Sequence, residues 1–403
     1  AEDAPFFLEG DVALSLIPQK DLLDPQWATF LTGDPQLRLH LRDWLTYEVR
    51  YLLRFGPERG DRVDKAKPSP REKSFRGLTA VYERAYIVSQ WKRAVLFWGR
   101  DYVDWGPGRD NLIISSAAQS LDKFGGRLMF RNLRLSFFHA MLSLHEQRRL
   151  WGHRLEMRFG NVDVGVSEAV VYQGRGFDPI YALPLSSIYA NQFNERGNDD
   201  NILWQFDMKY RVRDGLLLFG SFLIDDYQFE RKGEENPDKL AFDVGGRLAL
   251  TRPLATTIRL QYRFVDIYTY THMDSATYWV AGAGDPSLDP LLGAVEGPDT
   301  DRFSLQATFF PLPSASATLS FSLQRRGEGD DFRMFTTGDD SSPSFPSGVV
   351  EKTFSYGASA QWVLKGNSSL GADAVWARLE NVDHNSNRDQ WTTAVRVHVT
   401  WDL

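Results

Sequence analysis

From Leu37 to its last residue, the chain keeps returning to a two-residue alternation of apolar and polar side chains. The final stretch, Trp391 to Leu403, states it most clearly. Val395, Val397, Val399, Trp401 and Leu403 share one parity, and Arg396, His398, Thr400 and Asp402 share the other. Successive side chains of a strand point to opposite faces, so this is a strand with one apolar and one polar face. The pattern recurs upstream. Trp204, Phe206, Met208, Tyr210 and Val212 oppose Gln205, Asp207, Lys209, Arg211 and Arg213. Between Leu37 and Phe55, nine apolar residues sit on odd positions, with Arg38, His40, Arg42, Glu48 and Arg50 between them. That stretch reads as one strand, longer than the roughly 3–10 residues usual in globular sheets.

The connections constrain the fold further. Tight turns are expected at Arg131-Asn132, Gly160-Asn161, Asp214-Gly215, Arg252 to Ala255, Pro311 to Pro313 and Lys365 to Asn367. They alternate with long polar loops at 56–74, 174–201, 230–238, 272–300, 326–350 and 381–389. A β-sandwich has no reason to alternate short and long connections so strictly. A barrel crossing an outer membrane does, because short periplasmic turns alternate with long extracellular loops. Counting from Leu37 gives about 16 strands, an even number that closes. The polar faces are dense in Arg, Asp and Glu, as a water-filled lumen requires. The expected fold is therefore all-β: a single antiparallel transmembrane β-barrel of about 16–18 strands. Residues 37–403 form the barrel, and residues 1–36 are an N-terminal periplasmic segment or a first strand.

Composition agrees where it speaks. No apolar run reaches the roughly 18 residues of a membrane helix, yet alternation hides a barrel in a mean hydropathy of -0.36. Trp 12, Tyr 15 and Phe 27 suit interfacial girdles. There is no Cys, so no disulfide framework or thiolate chemistry. A net charge of -7 argues against nucleic acid as a partner. The opening AEDAPFF, with neither Met nor a basic stretch, is expected to be a mature chain after signal-peptide cleavage, exported to the bacterial outer membrane. None of the 7 His residues has a metal-ligand spacing such as HxxxH or HExxH. His139, with Ser136 and Ser143 nearby, reads as a girdle or lumen histidine rather than part of an esterase. Asp199-Asp200, Asp330-Asp331 and Asp339-Asp340 read as solvated loop carboxylates rather than Ca²⁺ ligands. No enzyme, cofactor or metal is expected.

Carbohydrate is the ligand class these residues suit. Sugars are held by aromatic faces together with Asp, Glu, Asn and Arg, and Trp105 stands in a Gly-Pro-Gly turn among Asp104, Arg109 and Asp110. A porin lumen uses the same charged residues, and spacing alone leaves both readings open. Gly106 and Gly108 are expected to free the turn for positive φ while Pro107 stiffens it.

Several motifs carry a family resemblance. Trp105-Gly-Pro-Gly-Arg-Asp-Asn111, following Gly99-Arg-Asp-Tyr102, resembles the hallmark of the capsule assembly Wzi family. Gly152 to Glu156 with Val166-Ser-Glu168, Tyr181 to Leu185, and Ile224-Asp-Asp226 resemble further blocks. So do Leu292-Gly293 with Gly297-Pro-Asp299, Arg326 to Asp330, and Asn381 with His384, all in the family's order. The resemblance implies an 18-stranded outer-membrane barrel acting as a lectin that attaches capsular polysaccharide or exopolysaccharide at the cell surface. The candidate polysaccharide-binding residues are Trp105, Arg109, Asp110, Arg154, Glu156, Glu168, Arg175, Asp225, Asp226, Arg326 and Glu328, all but Arg175 within the matching blocks. The expected partners are surface polysaccharide, outer-membrane lipid and envelope export proteins. The segment before Leu37 is too short for the family's periplasmic helical bundle. The alternatives are a passive porin for small solutes and a structural barrel within a larger envelope or export complex.

Overall fold

The computed structural model describes residues 6–18, 27–33, 35–55, 78–192, 200–226, 237–272, 274–286, 289–332, 334–336, 338–340, 343–364 and 368–402. Most of them belong to one antiparallel sheet closed on itself. The first strands are β1 (Phe6–Pro18), β2 (Trp27–Gly33), β3 (Gln36–Arg42), β4 (Leu45–Phe55), β5 (Leu78–Gln90) and β6 (Ala94–Asp101). Then come β7 (Leu121–Phe130), β8 (Leu133–Ser143), β9 (Arg148–Phe159), β10 (Val162–Tyr172), β11 (Asn201–Arg213) and β12 (Leu216–Asp226). The last are β13 (Lys239–Leu250), β14 (Ala255–Val265), β15 (Thr300–Leu312), β16 (Ala315–Arg326), β17 (Glu351–Val363), β18 (Ser369–Glu380) and β19 (Gln390–Asp402). A short helix, α1 (Ile188–Gln192), sits in the loop after β10. No helix among the described residues is long and apolar enough to cross a membrane.

Closure comes from β1, which pairs with β19 in a register from Glu9↔Asp402 to Leu16↔Val395. β2 and β3 each pair with both β1 and β4, so they form a single stave. The 19 strands of the described sheet thus make eighteen staves. The described tight turns after β5, β7, β9, β11, β13 and β15 lie at one rim and the long loops at the other, while the expected loops 56–74 and 230–236 lie outside the described residues.

The stretch 37–55 is a hairpin, not the single strand expected from its unbroken alternation. Arg42 pairs with Leu45 across a turn at Asp43-Trp44, and the register shifts between His40 and Arg42, leaving Leu41 as a bulge. A plain two-residue turn would exchange the parities of the two arms. The bulge adds one residue and restores odd-with-odd pairing, Leu39 opposite Tyr47, so the faces continue without a visible break.

Outward positions form the apolar band that a membrane barrel presents to lipid. Phe206 (42% exposed) and Met208 (48%) lie outside, whereas inward Gln205 is fully buried. At the tight-turn rim Trp44 and Trp91 stack at 6.1 Å, a pair suited to an interfacial girdle. The loop expected at 272–300 begins earlier: β14 ends at Val265, and Asp266 to Thr271 turn away from the wall.

Candidate functional site

Two of the long loops fold into the lumen instead of standing over it. The loop after β6 (102–120) carries Val103, Trp105, Leu112, Ile113 and Ile114 inward, and the loop after β14 (266–299) brings Tyr270, Trp279, Val280, Leu291 and Leu292 against them. Inward side chains of the wall, such as Phe138, Leu203, Leu223 and Ala241, complete this core. Burying that apolar surface drives the packing, and hydrogen bonds set its register. The Tyr270 hydroxyl donates to the Leu112 carbonyl at 2.7 Å, the Trp279 indole to the Ile113 carbonyl at 2.6 Å, and the Ser115 amide to the Leu292 carbonyl at 2.8 Å. Arg148, fully buried at the top of β9, donates to the carbonyls of Ala276, Tyr278, Val280, Ala281 and Gly282 at 2.5–3.1 Å. The result is a plug held by one arginine and by its partner loop.

Trp105 belongs to that plug. It is 8% exposed, meets Phe138 edge-on at 5.0 Å, and is therefore not free to stack on a sugar. Gly152 makes the space: a Cβ there would come within 2.9 Å of the indole. The turn itself departs from expectation at Gly108, whose φ is not positive; its use is close approach, since a Cβ would lie 2.9 Å from an Asp243 carboxylate oxygen. Asp110 is the non-glycine residue in the left-handed region, at φ 51°. Asn111 closes the turn by accepting from the Gly108 amide at 3.0 Å and donating to Asp104 at 2.5 Å. Burial raises the Asp104 carboxyl above its ordinary value, against those contacts from Asn111 and Ser116.

Below the plug lies a cavity of about 380 Å³. Arg109 and Asp110 form its roof, β14 supplies Arg259, Gln261 and Arg263, and β15 supplies Arg302 and Gln306. Ser304, Ser320, Ser322 and Ser355 line the rest of the wall with hydroxyls. Arg263 is locked: it pairs with Glu296 at 2.7 Å and Asp243 at 3.4 Å, and donates to the Arg109 carbonyl at 2.5 Å. Arg302 joins Glu296 at 3.1 Å. Burial would raise the Glu296 carboxyl, but these two guanidiniums prevail and hold it below the usual glutamate value. Among the described residues Arg109 and Arg259 have only neutral hydrogen-bond partners, Gln306 at 3.1 Å and Gln261 at 3.2 Å.

Of the residues singled out in the sequence, Arg109 and Asp110 meet at this cavity. Arg154 is buried nearby in the wall, bidentate to Asp207 at 2.6 and 2.9 Å, with Glu156 at 3.5 Å. Gln205 links that pair to the plug by donating to the Trp105 carbonyl at 2.9 Å. The others lie apart and bind neighbouring chain. Glu168, on the outer wall, pairs with His153 at 3.0 Å and accepts from the Ile188 and Tyr189 amides and the Trp204 indole. It thereby fastens the start of α1 beside a second apolar cluster of Trp151, Val170, Tyr172, Tyr181 and Ile188. Arg175 clamps Asp200 and lies over the Tyr172 ring at 4.6 Å. Asp225 accepts from the Tyr270 amide at 2.6 Å, and Asp226 faces Lys239 across a register shift. Arg326 pairs with Glu351 at 2.7 Å, and Glu328 accepts from the Val349 amide at 3.0 Å. Arg259, Gln261, Arg263, Arg302 and Gln306 were missed. Their signal was the alternation Arg259-x-Gln261-x-Arg263 facing Arg302-x-Ser304-x-Gln306, read only as generic lumen polarity.

No family model matches the chain, and no curated protein does. Solved structures do. The chain is similar to Wzi, described as an outer-membrane carbohydrate-binding β-barrel involved in group 1 capsule assembly in Escherichia coli: 12% identity, 98% of this chain and 84% of that one covered, TM-score 0.63. It is also similar to OccD3 (OpdP) of Pseudomonas aeruginosa, at 11% identity over 100% of this chain and 92% of that one, TM-score 0.57. A BenF-like porin from Pseudomonas fluorescens Pf-5 matches at 9% identity, over 100% and 99% of the two chains, TM-score 0.56. The motif resemblance to the Wzi family is thus met at the level of fold, and the chain has the outer-membrane β-barrel fold that Wzi shares with these porins.

Proposed function

We propose that this protein is a non-catalytic outer-membrane barrel that binds surface polysaccharide, capsular or exopolysaccharide, and helps to assemble or export it. The observation that carries the reading is the plug. Two long loops pack into a shared core along β7–β14, and the cavity beneath them is lined by arginine, glutamine and serine, donors suited to sugar hydroxyls. A diffusion pore is better served by an uninterrupted polar lumen. The fold shared with the carbohydrate-binding Wzi barrel supports the same reading. Arg109 and Asp110 are the residues proposed to touch ligand; Arg154, Glu156, Glu168, Arg175, Asp225, Asp226, Arg326 and Glu328 position the wall and loops.

The test is a deletion strain scored for cell-attached against released polysaccharide. Loss of attachment, restored by the wild-type chain, is the expected outcome. Unchanged attachment, together with a large steady conductance of the purified protein in planar bilayers, would replace this reading with the porin. Stoichiometric co-purification with envelope proteins would instead make it a structural subunit.

A further inference from the structure

The cavity under the plug has a sign and a side. Arg109, Arg259, Arg263 and Arg302 meet there with the carboxylates of Asp110, Asp243 and Glu296. Arg263 and Arg302 are consumed by Glu296 and Asp243. Arg109 and Arg259 are not: among the described residues no carboxylate lies within ion-pair distance of either, and each donates only to a glutamine. Arg259 is further held over the Phe219 ring at 5.4 Å, which fixes its head in the cavity. Guanidiniums left facing hydroxyls, with one excess positive charge among them, form a site for an anion.

The side follows from burial along the strands. Inward residues of β11 are buried at the long-loop end, Asn201, Leu203, Gln205 and Asp207, half-buried at Lys209 and Arg211, and exposed at Arg213 beside the tight turn. β14 runs the same way, from buried Val265, Arg263 and Gln261 through half-buried Arg259 to exposed Ala255. The plug therefore fills the long-loop half, and the cavity opens toward the tight-turn rim, which in this class of barrel faces the periplasm.

We infer that the cavity binds a carboxylated glycan segment, with Arg109 and Arg259 on the carboxylate, and receives it from the periplasmic side. The inference rests on the polysaccharide reading above and names the ligand's charge and direction of entry.

The full-length protein in detergent is titrated calorimetrically with hexagalacturonate and with the neutral maltohexaose. Hexagalacturonate is expected to bind, and maltohexaose to bind at least about tenfold more weakly, the scale of one charge-assisted hydrogen bond. The double variant Arg109→Gln/Arg259→Gln loses a similar factor, whereas Arg109→Lys/Arg259→Lys retains most of the affinity; heat-resistant migration in gels verifies that both are folded. The absence of cysteine gives the sidedness test a clean background. Ser320→Cys is treated with a maleimide-polyethylene glycol too large to cross the outer membrane. It is expected to react in opened envelopes and not in intact cells, and hexagalacturonate slows the reaction.

Absence of hexagalacturonate binding, equal binding of the neutral sugar, or an unaffected glutamine double variant would overturn the anionic assignment. Modification in intact cells would overturn the direction. Attachment of polysaccharide in the deletion strain is scored independently, so that reading can stand when this one fails.

Discussion

Single side chains carry unusual weight in this barrel, and Arg148 carries most. Its guanidinium has five N–H donors, and the structure gives each a carbonyl within one loop, 276–282. Arg148→Met removes the donor from the Ala276, Val280, Ala281 and Gly282 carbonyls, whereas Tyr278 still accepts from the Val280 amide at 2.7 Å; each buried group left unsatisfied costs about 1–3 kcal/mol. The expected outcome is protease cleavage within 266–299 while the barrel keeps its heat-resistant migration. Lysine, with three donors on one nitrogen, should fall between. Glu296 makes the plug sensitive to acid. Its carboxyl is held below the ordinary glutamate value of 4.5 by Arg263 and Arg302, which outweigh burial. A depressed folded-state value means that the stabilisation is complete above 4.5 and is lost as the pH falls through the folded value. The protection of 266–299 against hydrogen exchange, relative to the intrinsic rate at each pH, should therefore fall on acidification in that range. In Glu296→Gln that protection should be lower at neutral pH and flatter with pH; an unchanged acid profile in the variant would assign the effect to another carboxylate. Neither residue was legible beforehand. Arg148 stands among Glu146, Gln147 and Arg149 in what reads as a short polar loop, and its partners lie more than a hundred positions away. Trp105 misled for the same reason: an aromatic in a Gly-Pro-Gly turn reads as a ligand platform until Gly152 and Phe138 are seen to enclose it.

At the scale of elements, alternation was a faithful guide to which residues share a face and a poor guide to where strands stop. Phe206 and Met208 point outward and Gln205 and Asp207 inward, as the parity required. The hairpin of β3 and β4 passed as one strand because the Leu41 bulge preserves parity across the turn. Beyond β14, Tyr268 to Thr271 still alternate, but the face they offer packs in the plug rather than on lipid, and a two-residue period is blind to that difference. The bulge yields a sharp test. Removing Leu41 converts the connection into a plain two-residue hairpin and leaves the pairs from His40↔Thr46 upward intact, so the barrel should insert and resist heat as before. Removing Leu39 shifts Gln36, Leu37 and Arg38 by one residue and turns Arg38 toward lipid, away from its 2.8 Å contact with Glu48. An arginine on the lipid face costs about 2–4 kcal/mol near the midplane, and Glu48 is left buried without that partner. Equal behaviour of the two deletions would mean that the strand can slip.

Across the whole molecule, the tight-turn rim and the long-loop rim differ in kind. The outward band and eighteen staves are those of a channel-forming barrel, yet the long-loop half of the lumen along β7–β14 holds an apolar core with fully buried Trp279, Tyr270 and Leu112. Barrel and plug should therefore have separable stabilities, because the wall is held by continuous backbone pairing and the plug by side-chain packing and a few loop hydrogen bonds. Replacing residues 274–290 with a short Gly-Ser linker removes Trp279, Val280 and the carbonyls gathered by Arg148, but no residue of any strand. The trimmed protein should insert normally and show a large steady conductance in planar bilayers, while the intact protein shows little under the same conditions. Arg148→Met should conduct intermittently, with openings that become longer as the pH falls and Glu296 is protonated. If the intact protein conducts as well as the trimmed one, the plug does not obstruct the lumen. The balance would then move from polysaccharide binder to porin.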